Sequence, residues 1–175
     1  MGKRGEEEMT DIIRIGNCSG FYGDRLDAAR EMVEGGPIDV LTGDYLAELT
    51  MSILYGQKQA RGENMGYVGT FLKQLKEVAV SCKEKNIKIV TNAGGLNPKS
   101  MAEEVEKRLQ ELGVDFKVAY IEGDIILQDL EQLTHDGAAL PHIDTPIGLK
   151  DPNEQALIAN HYHEQWNSTS IGQSE

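Results

Sequence analysis

Four times along this chain a short run of apolar, mostly β-branched residues runs into a glycine-bearing turn, and a stretch with helical spacing follows. Ile12-Ile13-Arg14-Ile15 leads into residues 16–25, then into a pattern at residues 24–33 that stops at Gly35-Gly36-Pro37. Ile38-Asp39-Val40-Leu41 leads into Thr42-Gly43-Asp44 and a helical pattern at residues 44–55. Residues 56–66, polar and glycine-containing, read as a connecting loop before a long amphipathic helix at residues 67–84. Residues 87–90 form the third run, followed by 91–98 and a helix at 99–112 closed by Gly113. Residues 116–121 form the fourth, left through Glu122-Gly123-Asp124, with a short helix expected at 125–133.

Strands separated by helix-length segments pair in parallel through right-handed crossovers. The first three runs are continuous rather than alternating, as expected of strands covered on both faces. The sequence therefore predicts an α/β fold, a Rossmann-like three-layer sandwich with a mainly parallel sheet of about four strands. Residues 1–10 read as a disordered tail, residues 11–134 as a ligand-binding domain, and residues 135–175 as an irregular extension with one helix at 151–165.

Composition narrows the partners. With 175 residues the chain can bury a real core as one domain. Its net charge of −12 argues against nucleic acid or an anionic membrane as the main partner, since both need a basic footprint. No run approaches the length of a membrane span, and two cysteines, Cys18 and Cys82, make no disulfide framework. A cytoplasmic protein with a small-molecule ligand is the resulting expectation.

In open parallel sheets ligands bind beyond the carboxyl ends of the strands. Those ends hold the unusual residues here. Each of the four strand-end loops has glycine together with Asp or Asn near a helix start. Asp24, Asp44 and Asn97 stand where helix N-caps belong, and Pro98 suits a first helical position. For any one of these residues capping or turn formation is the better reading. The first and third loops together point instead to an anion cradle, because two glycine-rich helix starts share one sheet edge. Gly20, Gly23, Gly94 and Gly95 would let backbone N–H groups approach a ligand. Ser19, Asn92 and Asn97 would donate or accept hydrogen bonds. Asp44 or Asp24 would be the candidate base, with Arg25 as electrostatic partner.

Several motifs are absent. Gly16, Gly20 and Gly23 are spaced G-x3-G-x2-G, neither a dinucleotide fingerprint nor a Walker loop. Asp44 nonetheless stands after strand 2, where dinucleotide folds place a ribose-binding carboxylate, so a nucleotide or coenzyme A moiety stays open. Cys18 has no histidine in the strand-end loops to act as its base. His161-x-His163 lacks further ligands at metal-site spacing, and no metal is expected. The cofactor is left unassigned.

Three of these segments carry a family resemblance. Residues 14–29, with Gly-Phe-Tyr-Gly-Asp-Arg-Leu-Asp-Ala-Ala, resemble the opening motif of acyclic terpene utilisation protein A. Asp-Val-Leu-Thr-Gly-Asp-Tyr-Leu-Ala-Glu at 39–48 resembles the family's second motif, and Ile-Lys-Ile-Val-Thr-Asn-Ala-Gly-Gly-Leu-Asn-Pro at 87–98 its third. Gly123-Asp124 fits the loop after the next strand. The resemblance implies a context, bacterial catabolism of citronellol- and geraniol-type terpenes near acyl-CoA carboxylases, and assigns no reaction. Family members are several hundred residues long, so the chain reads as truncated, with its sheet incomplete. Two readings follow. In one the loops bind an acyl-CoA or a carboxylate from terpenoid breakdown. In the other the chain is a non-catalytic nucleotide- or CoA-binding fragment that folds with a partner subunit or as a homo-oligomer.

Overall fold

The computed structural model describes residues 12–123, with Gln132 and His135. Apart from those two residues, the expected tail at 1–10, Asp124, the helix at 125–133 and the extension at 135–175 lie outside the described residues. Strand β1 (Ile15–Asn17) is followed by helix α1 (Ala28–Gly35), β2 (Val40–Gly43), α2 (Glu48–Arg61), α3 (Gly69–Glu84), β3 (Lys88–Thr91) and α4 (Pro98–Glu111). The strands form one parallel sheet in the order β1-β2-β3, so the chain has the α/β fold that its alternation predicts.

Every strand ends beyond the apolar run that announces it. The ladder pairs Asn17 with Thr42 and Gly43 with Thr91. Pairing is a backbone property, and it continues through glycine and threonine after hydrophobicity has stopped. Helix α1 starts later than expected. Residues 24–27 stay outside the helix, where the Asp24 carboxylate accepts the backbone N–H groups of Gly20 (3.0 Å) and Arg25 (2.8 Å). Asp24 and Asp44 are therefore not the N-caps of α1 and α2; those positions are held by Asp27 and Ala47, neither with a side-chain cap bond. Helix α2 runs through Gly56 to Arg61, into residues expected as loop, since an exposed glycine weakens a helix without breaking it. Asn97 caps α4 as expected, its Oδ1 accepting Ser100 N–H at 3.1 Å, with Pro98 in the first turn.

The two strand faces differ. Gly16, Leu41 and Ile89 align across the sheet and face the helices. Leu41 shares a buried cluster with Cys18, Ala29, Val33, Val78, Cys82 and Ile87. A second cluster, including Tyr45, Met51, Leu54, Phe71, Leu75 and Met101, joins α2, α3 and α4 beneath the strand ends. Gly16 is close-packed: a Cβ there would lie 2.6 Å from Met32 Cγ, and the Met32 side chain would have to shift. Helix α3 supplies residues to both clusters and holds the helical layer together.

Residues 116–121, expected as a strand, pair with no strand among the described residues, and the sheet there has three strands. Val114, Phe116 and Val118 still pack against the core at alternate positions, the period of a strand without its ladder. Lys83 donates from Nζ to the Asp115 carbonyl and lies 5.3 Å from the Phe116 ring centroid.

Candidate functional site at the strand ends

The loops after β1, β2 and β3 are bonded to one another at the carboxyl edge of the sheet. Cys18 N–H continues the ladder to the Thr42 carbonyl at 2.8 Å. Asp44 N–H then donates to the Ser19 carbonyl at 3.0 Å, which ties the second loop to the first. Asn92 ties the third loop to the second: its Nδ2 donates to Asp44 Oδ1 at 2.6 Å, and its Oδ1 accepts Tyr45 N–H at 2.9 Å. Thr91 Oγ1 donates to the Gly43 carbonyl at 2.9 Å and accepts Ala93 N–H at 3.1 Å. The result is a rigid corner in which Ser19, Asp44 and Asn92 meet, with the Asp44 carboxylate exposed.

The other expected residues divide into two groups. Gly20, Gly23, Asp24 and Arg25 form the outer rim of the first loop. Two backbone N–H groups hold the Asp24 carboxyl below the usual carboxylate range, so it is a weak base near neutral pH. Arg25 reaches Asp27 at 3.2 Å and Glu31 at 2.5 Å, so its charge is committed to α1 rather than to Asp44. Gly94, Gly95 and Asn97 form the second group and face residues 63–66. Gly95 has φ +53°, and a Cβ there would lie 2.5 Å from Leu54 Cδ1 and 2.8 Å from the Gly66 carbonyl oxygen. Asn97 Nδ2 donates to the Glu63 and Met65 carbonyls at 2.8 and 3.2 Å. Leu96 N–H to Gly66 O and Val68 N–H to Ala93 O, both 2.8 Å, complete this seam.

Beneath the corner lies a buried polar chain that sequence reasoning missed. The Tyr45 ring folds back over Gly43, where a Cβ would fall 2.6 Å from the ring. Its hydroxyl donates to Gln74 Oε1. Gln74 Nε2 donates in turn to the Arg25 carbonyl at 3.0 Å, fixing the first loop to α3. A cavity of about 10 Å³, enough for roughly one water, lies among Cys18, Leu41, Tyr45 and Gln74. Burial pushes the Cys18 thiol up, and its Tyr45 neighbour offsets only part of that, so Cys18 is a poor nucleophile. A signal was available: Gln74 is a polar residue on the apolar stripe of α3, between Phe71 and Leu75. Thr42, at the end of β2, makes a further polar contact between strands. Its Oγ1 lies 3.3 Å from Asn17 Oδ1 and 3.4 Å from the Gly16 carbonyl, joining β1 to β2 at their ends.

Among the described residues no group of three or more His, Cys, Asp or Glu side chains is arranged to hold a metal. No described helix is long and apolar enough to cross a membrane. His161 and His163 lie outside the described residues. Neither the curated proteins nor the solved structures contain a match to this chain. A family model does match it, that of the acyclic terpene utilisation family protein AtuA, over residues 13–167. That span includes all three strand-end loops and most of the chain, and the chain belongs to the acyclic terpene utilisation family.

Proposed function

We propose that this acyclic terpene utilisation domain acts in the catabolism of acyclic terpenoids by holding an anionic ligand, an acyl-CoA or a free carboxylate, at its strand-end loops. The observation that carries the reading is the corner itself. Three loops from three parallel strands are bonded into one edge, where an α/β sheet presents its ligand site. Ser19, Asp44 and Asn92 form its floor, and Gly20, Gly23 and Asp24 its outer rim. Hydrogen bonds already offset part of the negative charge there. Asp44 Oδ1 accepts from Asn92, and both Asp24 oxygens accept backbone N–H groups. Asp44 keeps its second oxygen for a ligand hydroxyl or for proton transfer. Gly94, Gly95 and Asn97 belong to the ligand site in this reading through the third loop, whose shape they set. Arg25 belongs to it as a brace, its ion pairs with Asp27 and Glu31 tying the rim to α1.

The test is calorimetric titration of the purified chain with a terpenoid acyl-CoA, the matching free acid, coenzyme A alone and NAD. Binding of the acyl-CoA or the acid is expected, with at least a tenfold loss in Asp44→Ala. Binding of coenzyme A alone would replace this reading with a plain CoA-binding module. Binding of NAD would point to a ribose contact at Asp44. Wild-type affinity in Asp44→Ala removes the corner from the site.

A further inference from the structure

The sheet is covered on one side only among the described residues. Residues of β1, β2 and β3 that point away from the helices align in two rows, Ile15–Val40–Lys88 and Asn17–Thr42–Val90. Ile13 and Ile15 at the β1 edge are 67% and 65% exposed and Val40, Thr42 and Val90 are half-buried, while Leu41 on the opposite face is 2% exposed. A parallel sheet is a buried element, with both faces covered, and its strands are apolar for that reason. Handedness explains the asymmetry. The order β1-β2-β3 advances in one direction, and right-handed crossovers that advance in one direction place their helices on one face. The crossovers of this run therefore leave the other face to something outside it.

The occupant can be named. The family match extends to residue 167, so residues 124–167 belong to the same family unit as the sheet. They are rich in large apolar side chains. Ile126, Leu130 and Leu133 recur at the spacing of one helix face, and Ile143, Ile147, Leu149, Leu157 and Ile158 follow. The stretch also exceeds the dozen or so residues that a parallel crossover needs. A second copy of the chain is the weaker candidate, since a net charge of −12 on each copy opposes association.

We propose that residues 124–167 form the docking partner of the open sheet face, seated on Ile13, Ile15, Val40 and Val90. This is independent of what the strand-end loops bind. It makes the last part of the family-matched region part of the sheet's own core rather than an appendage.

The test uses the full chain with a photo-crosslinking amino acid, p-benzoylphenylalanine, in place of Ile15, and in a control in place of the exposed Val80 on α3. After irradiation, adducts are mapped by mass spectrometry. The expected result is intramolecular adducts from position 15 to peptides within 124–167, and none from position 80 to those peptides. Adducts joining two chains from position 15, or none reaching 124–167, overturn the proposal. Because position 15 is a large exposed site, the substitution leaves the helix-side core untouched. Unchanged circular dichroism melting confirms that, and Val90→Lys gives a second measurement. Hydrogen exchange across 124–167 should rise at least threefold in Val90→Lys, and unchanged exchange there counts against docking.

Discussion

Replacing Gly95 by alanine isolates how tightly the third loop is built. Two costs add. At φ +53° an L-residue occupies the left-handed region, at about 1–2 kcal/mol. The new methyl would also fall 2.5 Å from Leu54 Cδ1 and 2.8 Å from the Gly66 carbonyl oxygen. Leu54 is fully buried, and the carbonyl is held by Leu96 N–H, so neither neighbour moves freely. Overpacking of this kind costs about 1–3 kcal/mol. The sum, about 2–5 kcal/mol, is a large part of the 5–15 kcal/mol that stabilises a typical domain. With a urea m-value of about 2 kcal/mol/M, the unfolding midpoint should fall by roughly 1–2.5 M. The assay is urea unfolding followed by circular dichroism. Gly23→Ala is the control. Gly23 has φ +90°, and an added Cβ would meet nothing within 4 Å, so only backbone strain is introduced. If Gly95→Ala destabilises no more than Gly23→Ala, the close packing against Leu54 and Gly66 is not what demands glycine.

Three further outcomes are expected. Gly56→Ala, in the exposed middle of α2 with open space around its Cα, should stabilise the chain by about 0.5–1 kcal/mol in the same assay. Tyr45→Phe leaves the buried Gln74 Oε1 without its donor and should cost about 1–3 kcal/mol; a loss under ~0.5 kcal/mol would mean that a water replaces the hydroxyl. Asp24, Asp27 and Asp39 have carboxyls lowered by hydrogen bonds from Gly20, Arg25 and Arg14. A lowered folded-state value contributes stability that is present above the unfolded value, about 3.9, and lost as pH falls through the folded one. Thermal melting should therefore weaken below about pH 4, and Asp39→Asn should flatten that acid limb, an unchanged limb counting against the Arg14 pair.

The order of elements was legible because it rests on hydrophobic runs, and Ile12–Ile15, Ile38–Leu41 and Ile87–Val90 each lie beside a real strand. The ends were less legible. Thr91 and Gly43 pair through backbone groups that no side-chain pattern reports. Asp24 and Asp44 resemble helix caps because a short acid before a helix is usually one, but Asp24 spends both oxygens, and Asp44 its Oδ1, on loop contacts. Asn97 was legible because its cap is local, three residues from the N–H it accepts. The corner itself was half legible. Glycine and Asn/Asp content located the three loops, but only the fold could bring Asn92 onto Asp44. Gln74 was hidden because its partners, Tyr45 and the Arg25 carbonyl, are distant in sequence.

The seam between Gly66 and Leu96 has a consequence for the order of folding. Its paired backbone bonds join the connection between α2 and α3 to the turn that opens α4. The turn cannot take its final shape until that earlier connection is in place. A contact across that much chain is expected to close late, after α3 has formed between its two ends. Asn92 leads that turn, so the corner it completes is set in the closing steps of folding, and local opening of the seam in the native state would release it first.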